Sequence, residues 1–366
     1  MVLAITVDGR RLAAETPTHS ENAIRRVSFE CEGDKRLEQF IVHALRSFPP
    51  TEREAIRARL MQQPRMDVGT WCSGTDAPVL MSRAFAEAAR SSLQCSADVR
   101  HAFSCECNVA KQQFLLDMVP VPILFDDANS LPKLCGFNVK GSTVEPVPTI
   151  SRAWFGFPCQ DVSSLNMHAK SHGAIVEAGT LRTGGIFRAS CDYIGKITAD
   201  LDLVIAENVM GLQAHRTSDS VSNLDACISC LEQLGMYVIV FYLCPSYFNK
   251  PVTRRRVWIL SIPLRLAQYV EKDILNKKAE QLMQIIMKSA LKSEMGLDLD
   301  YHLLPEGHPS VQEHMWRLRQ RRGRGHNNIG TKQRWLQRHE EWCHKQGRDW
   351  VGIPAGLSRD LSLIPV

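Results

Sequence analysis

Asp67-Val68-Gly69-Thr70-Trp71 runs directly into Cys72-Ser73-Gly74-Thr75-Asp76, and a helix-like stretch follows. A short apolar run, a small-residue turn and a helix form the opening unit of a doubly wound α/β domain. Glycine in such a turn lets backbone approach a ligand closely, and the helix N-terminus favours negative charge. The same rhythm repeats along the chain. Further apolar runs are Ala102-Phe103-Ser104-Cys105, Ile123-Leu124-Phe125, Ala153-Trp154-Phe155, Leu203-Val204-Ile205-Ala206, Tyr237 to Leu243, and Val257-Trp258-Ile259-Leu260. Continuous apolar strands separated by helices predict a mostly parallel sheet covered on both faces. Ligands of such sheets bind beyond the carboxyl ends of the strands, so the residues after each run carry the chemistry.

Those residues form an ordered series. Ser73, Gly74 and Thr75 follow the first run, Glu106 the second, and Asp126 and Asp127 the third. An acidic residue after the second strand is placed to hold ribose hydroxyls, and a carboxylate after the third can accept from an adenine amino group. Singly, each acid reads better as a helix cap; together, in order, they outline a nucleoside site. Gly156-Phe157-Pro158-Cys159-Gln160-Asp161-Val162-Ser163 follows the fourth run and Glu207-Asn208-Val209 the fifth, while Arg254-Arg255-Arg256 leads into the last.

These last three segments resemble the catalytic motifs of the cytosine-C5 DNA methyltransferases: a Pro-Cys-Gln loop, a Glu-Asn-Val strand end, and an arginine-rich approach to a late strand. They stand in that family's order. Cys159 to Glu207 is 207 − 159 = 48 residues and Glu207 to Arg256 is 256 − 207 = 49, each room for about one helix and one strand. The motif-level resemblance covers roughly residues 66–263. It implies the Rossmann-like fold of S-adenosylmethionine-dependent methyltransferases, with S-adenosyl-L-methionine as cofactor and DNA as substrate.

The resemblance also implies roles. Cys159 is the expected nucleophile on cytosine C6, which makes C5 able to attack a methyl sulfonium. Glu207, protonated, is expected to donate to N3, and Arg256 to bind O2. Arg254 and Asn208 are expected to order the loop. Ser73, Gly74, Thr75, Glu106, Asp127, Pro158 and Ile186 are expected around the cofactor, with Gly185-Ile186-Phe187 a helix start beside it. Gln160 and Ser163 are expected to face DNA, whose target base must be flipped out of the stack. The chain departs from the family at three points: Asp76 and Ala77 stand where the cofactor loop has glycines, Val252 stands where glutamine follows the proline, and no terminal Gly-Asn-Ser-Val segment is found. The runner-up expectations are therefore a catalytically impaired DNA-binding relative, and the same chemistry on tRNA. The tRNA subgroup's Cys-Phe-Thr signature is absent from the sequence.

Outside this core, residues 1–65 read as a mostly helical prelude, with a helix starting at Pro49-Pro50-Thr51-Glu52 and ending before Pro64. Residues 264–366 read as helical and then basic. Arg317, Arg319, Arg321, Arg322 and Arg324 put five arginines within eight residues, suited to DNA phosphates. The 366 residues are 44% hydrophobic and 23% charged with net charge +5, an ordinary balance for a soluble protein. No apolar run is long enough to span a membrane. The 12 cysteines are scattered, which argues for thiols in a reducing, intracellular setting and against a metal site. A monomer is expected, in the nucleus for a eukaryotic source and in the cytoplasm otherwise.

Overall fold

The structure, a computed structural model, describes residues 32–163, 165–166, 175–214, 221–248, 253–267, 270–292 and 312. The arginines from Arg317 to Arg324, Val252, and the C-terminal stretch in which a closing segment was sought all lie outside these residues. Apart from residue 312, the described residues belong to one unit, Leu12–Leu297.

Each apolar run becomes a strand. They are β1 (Arg65–Trp71), β2 (Asp98–Cys105), β3 (Leu124–Phe125), β6 (Arg152–Phe155), β7 (Leu203–Val209), β8 (Met236–Leu243) and β9 (Arg256–Pro263). Two further strands, β4 (Cys135–Asn138) and β5 (Thr143–Pro146), form a hairpin after β3. The sheet order is β5-β4-β3-β2-β1-β6-β7-β9-β8. Strands β3, β2, β1, β6 and β7 pair in parallel, while β4 and β9 run antiparallel to their neighbours. The parallel core matches the apolar runs, because strands covered on both faces need apolar residues at every position. The hairpin had no such signal. Its four-residue strands lie at the edge and carry Gly136 and Asn138. Side-chain bonds steady it: Asn138 Oδ1 accepts from Leu124 N at 3.1 Å, and Asn138 Nδ2 donates to Glu145 at 2.8 Å.

The chain moves outward from β1 through β2 and β3, then returns to β6 on the other side of β1. The topological switch point therefore lies between β1 and β6, where neighbouring connections leave in opposite directions and open a crevice. Helices cover both faces. On one, α1 (Glu32–Ser47), α2 (Pro50–Gln62), α3 (Ala77–Leu93) and α9 (Lys272–Lys292) contribute Ile41, Leu45, Leu60, Val79 and Ile285 to a cluster with Met66 and Val68 of β1. The helix expected after Pro49 is thus α2, and it ends before Pro64. On the other face, α6 (Leu181–Ile197) and α7 (Asn223–Gln233) pack Phe187, Tyr193, Ile194 and Leu231 against the sheet. The remaining helices are α4 (Val109–Met118) and the single turns α5 (Ile175–Ala178) and α8 (Leu264–Ala267).

An aromatic cluster sits directly under the strand ends. Trp71 stacks on Phe155 at 4.6 Å between centroids and meets the edge of Tyr193 at 5.6 Å. Its indole Nε1 donates to Ser190 Oγ at 2.8 Å, which satisfies the one polar atom a buried tryptophan carries. Full burial of each such side chain contributes roughly 1.5–3 kcal/mol, so the floor beneath the crevice is among the firmest parts of the unit. No helix among the described residues is long and apolar enough to cross a membrane.

Candidate active site

A cavity of 460 Å³ opens at the carboxyl ends of β1, β2, β3 and β6, lined by Cys72, Cys105, Cys107, Asp127, Ala128, Asn129, Pro158, Leu181, Arg182, Gly185 and Ile186. Its size suits a nucleoside-sized ligand. The structure brings three expected residues into this wall: Asp127 from the end of β3, Pro158 from the loop after β6, and Ile186 from α6. Ser73, Gly74 and Glu106 stand behind the wall. Glu106 is buried, its Oε2 accepting from Gly74 N and its Oε1 from Asn108 N, both at 3.0 Å. It ties the β1 turn to the β2 end, and each oxygen keeps a second lone pair. Thr75 sits half-buried in the same turn. Asp127 Oδ1 accepts from Asn129 N at 2.9 Å and Asn129 Nδ2 at 2.8 Å, so it also caps the short 3-10 turn after β3, the bland role its position alone favoured.

Arg182 and Asn129 in this wall carried no sequence signal. Arg182 donates to Cys107 Sγ at 3.2 Å across the cavity mouth, and Asn129 sits beside Asp127. Arg182 had no apolar run or recognisable motif to mark it. Cys105 is a buried thiol and Cys72 a half-buried one, and desolvation pushes Cys72 up to about 12.

The loop after β6 carries Cys159 half-buried beside Pro158, with Gln160 exposed and Ser163 half-buried. Cys159 O accepts from Val162 N at 3.2 Å and Ser163 N at 2.9 Å, which closes the loop into a tight turn. Asn208 at the end of β7 is buried and donates from Nδ2 to Phe157 O at 3.1 Å. Asp161 gives a second anchor: its Oδ2 accepts from Thr183 N at 2.8 Å, and its own N donates to Thr183 Oγ1 at 3.4 Å. Its carboxylate therefore satisfies an open N–H in the first turn of α6, where negative charge is favoured. The pair joins the Cys159 loop to the helix that carries Ile186. Replacing Asn208 with alanine leaves Phe157 O without this donor in a buried setting. The expected cost is about 1–3 kcal/mol of stability, readable by chemical denaturation.

Glu207 and Arg256 face each other across the antiparallel β7–β9 pair. Arg256 Nε lies 2.8 Å from Glu207 Oε1, with both side chains half-buried. Burial pushes the Glu207 carboxyl above its ordinary range, against the pull of Arg256 and Arg254. Burial lowers the Arg256 guanidinium, and the field of Arg254 adds to this, while Glu207 and Cys159 act in the opposite sense. Arg256 is thus within electrostatic reach of both Cys159 and Glu207. Arg254 is exposed and donates its backbone N to Cys244 Sγ at 3.3 Å. Cys159, Glu207, Asn208 and Arg256 are therefore linked at the ends of β6, β7 and β9, next along the loop to the cavity-lining Pro158, although they are spread along nearly a hundred residues of chain.

A family model for the C-5 cytosine-specific DNA methylase matches residues 143–362, more than half of the chain. The match takes in the Cys159 loop, the β7 end and β9, and it continues past the point where recognisable motifs stop. DNA (cytosine-5-)-methyltransferase DMT5 of Cryptococcus neoformans var. grubii is 26% identical over 243 residues, which is 66% of this chain and 9% of that protein. This chain therefore spans a small part of that relative's length. Among solved structures, a Spodoptera frugiperda DNMT2 variant is 15% identical with TM-score 0.35, and S. pombe Dnmt2 methyltransferase is 13% identical with TM-score 0.32. Each alignment covers 54% of this chain and 50% of the other. The family implies S-adenosyl-L-methionine as cofactor. The cavity fits it, with apolar walls at Pro158, Leu181 and Ile186 for a planar base and polar groups at Asp127 and Asn129. The chain belongs to the C-5 cytosine-specific DNA methylase family.

Proposed function

We propose that this chain carries a DNA (cytosine-5-)-methyltransferase site that works by covalent catalysis from Cys159. The convergence of Cys159, in the loop whose Pro158 lines a nucleoside-sized cavity, with the half-buried Glu207–Arg256 pair supports this most directly.

When bound, S-adenosylmethionine supplies an electrophilic methyl group. The residues of the chain prepare the base. Cys159 adds as thiolate to cytosine C6, forming the C–S bond and moving the ring electrons toward N3 and O2. Arg256 turns part of its hydrogen-bonding toward O2, where its positive charge offsets the negative charge gathered on the ring. Freed from its ion pair and already desolvated, Glu207 holds a proton and donates it to N3. The resulting enamine makes C5 nucleophilic, so that C5 would bond to the methyl carbon as that carbon's bond to the sulfonium sulfur breaks. N3 returns its proton to Glu207. A base, for which water serves, then takes the C5 proton while the C6–S bond to Cys159 breaks, which restores the aromatic ring and the free thiolate. Asn208 and Asp161 do no chemistry; they hold the loop that aims the sulfur.

The target base reaches this site only when flipped out, with unstacking costing a few kcal/mol. Gln160 and Ser163 face the space a duplex would fill, and the arginines from Arg317 to Arg324 are the proposed phosphate contacts.

Two results check the proposal. Full-length protein with labelled S-adenosylmethionine should transfer label to duplex DNA; label on transfer RNA alone would move the substrate to RNA. Replacing Glu207 with glutamine should lower kcat by about 10²–10³-fold, the usual range for a lost acid. Activity of the native protein should decline as pH rises through the raised Glu207 pKa, because the donor is lost there. An unchanged alkaline limb in the Glu207→Gln variant would assign that limb to another group.

A further inference from the structure

The turn after β1 has an unusual backbone. Cys72, Gly74 and Asp76 all adopt left-handed conformations, with φ of 52°, 60° and 57°. Glycine does this freely; cysteine and aspartate do so only when the surroundings hold them. Asp76 is also a wholly buried carboxylate that the catalytic scheme does not use.

Its partners are specific. Asp76 Oδ1 accepts from the Thr70 hydroxyl at 2.5 Å, and Oδ2 accepts from the Ser104 hydroxyl. His101 Nε2 lies 2.8 Å from Ser104 Oγ and 3.4 Å from Asp76 Oδ2. Thr70 Oγ1 is in turn 2.7 Å from Ser73 Oγ, which accepts from Cys105 N at 3.1 Å and has Cys105 O, also at 3.1 Å, as the alternative acceptor for its one proton. A hydrogen-bonded chain therefore runs from the buried carboxylate, through β1, to the Cys72 and Cys105 segment of the cavity wall.

We propose that Asp76 is a positioning residue for the cofactor loop, its ionised carboxylate holding the Cys72–Asp76 turn in shape through Thr70 and Ser73, so that cofactor affinity depends on its ionisation. This rests on the cavity being the S-adenosylmethionine site. With the carboxylate ionised, Thr70 and Ser104 give it their protons, and the Ser73 proton is directed at Thr70. A proton on Oδ1 reverses that order, so that Thr70 donates to Ser73 and Ser73 to Cys105 O, and a different set of bonds holds the turn.

The neighbours decide which group titrates. Burial pushes Asp76 up to about 6, partly offset by the Ser104 and Thr70 hydroxyls and by Arg83 on α3, while Glu106 pushes it the same way as burial. Burial and Arg83 push His101 down to about 4, so it stays neutral over the same window. Affinity should therefore fall as pH drops through about 6, and recover above it.

The test is calorimetric titration of the full chain with S-adenosylhomocysteine from about pH 5.5 to 8, on either side of the Asp76 pKa, beside Asp76→Asn and Thr70→Val, with a melting curve for each. Wild-type affinity should weaken about threefold between about pH 7.5 and 5.5, because a group with a pKa of about 6 is only about three-quarters protonated at the lower pH and binding shifts its pKa by about one unit. Asp76→Asn should bind about tenfold more weakly at about pH 7.5 and show no dependence on pH. A purely structural role would lower the melting temperature and leave the pH profile of binding unmoved. A flat wild-type profile, or an Asp76→Asn profile identical to wild type, overturns the proposal. Should Asp76→Asn not fold, Thr70→Val decides: undiminished affinity at neutral pH overturns it. Wild-type protein that binds at no pH removes the cofactor assignment of the cavity, and this proposal with it.

Discussion

Replacing Cys159 with alanine is expected to abolish methyl transfer, with a loss on the order of 10⁴-fold or more, while cofactor binding and folding persist. Covalent activation of the ring has no substitute once the sulfur is gone, and removing a nucleophile typically costs this much. The substitution removes one half-buried atom beside the cavity-lining Pro158, and the loop anchors at Asn208 and Asp161 are untouched. Titration with S-adenosylhomocysteine checks binding and a single-turnover methylation assay checks chemistry. Retained turnover in Cys159→Ala would remove this cysteine from the mechanism.

A second large effect is expected at a residue that touches neither cofactor nor base. Gly211 lies in the 3-10 turn Met210–Gln213 that follows β7. A Cβ built there would stand 1.9 Å from Val162 O and 3.0 Å from Val162 C. Both atoms are backbone, so no side chain can rotate out of the way, and the Cys159 loop must retreat by roughly 1 Å. A displacement of that size near reacting groups costs on the order of 10²-fold in rate. Gly211→Ala should therefore lose about that factor in kcat and about 1–3 kcal/mol in stability, the usual penalty of overpacking. Affinity for S-adenosylhomocysteine should change far less, since Gly211 is not among the residues that line the cavity. Equal losses in binding and rate would indicate general unfolding instead.

The parts of this site that were legible in the sequence share a physical cause. Parallel strands are buried on both faces, so they appear as apolar runs, and the chemistry comes immediately after each run. Cys159 and Glu207 follow such runs and Arg256 leads into one, while their roles came from the family resemblance; Arg256 Nε lies 2.8 Å from Glu207 Oε1. Asp161 was quoted with its loop, but its bond to Thr183 spans 22 residues and depends on how α6 docks. Glu106 shows the same limit. Its position after β2 was readable, but its use of both oxygens on the backbone of Gly74 and Asn108 was not. The β4–β5 hairpin escaped notice because an edge strand of four residues needs little apolar character. The family match beyond residue 263 lies where no short motif stands out, since many weak preferences summed over length leave no local signature.

The most direct measurement is trapping. Full-length protein, S-adenosylmethionine and duplex DNA carrying 5-fluorocytosine at candidate sites would be incubated together, then resolved under denaturing conditions. Fluorine at C5 cannot leave as a proton does, so a cysteine that has added to C6 stays attached. A denaturation-stable protein–DNA adduct, mapped by mass spectrometry to Cys159 and absent in Cys159→Ala, is the predicted result. Folded, cofactor-binding protein that forms no adduct with this DNA, or an adduct through another residue, would contradict covalent catalysis by Cys159.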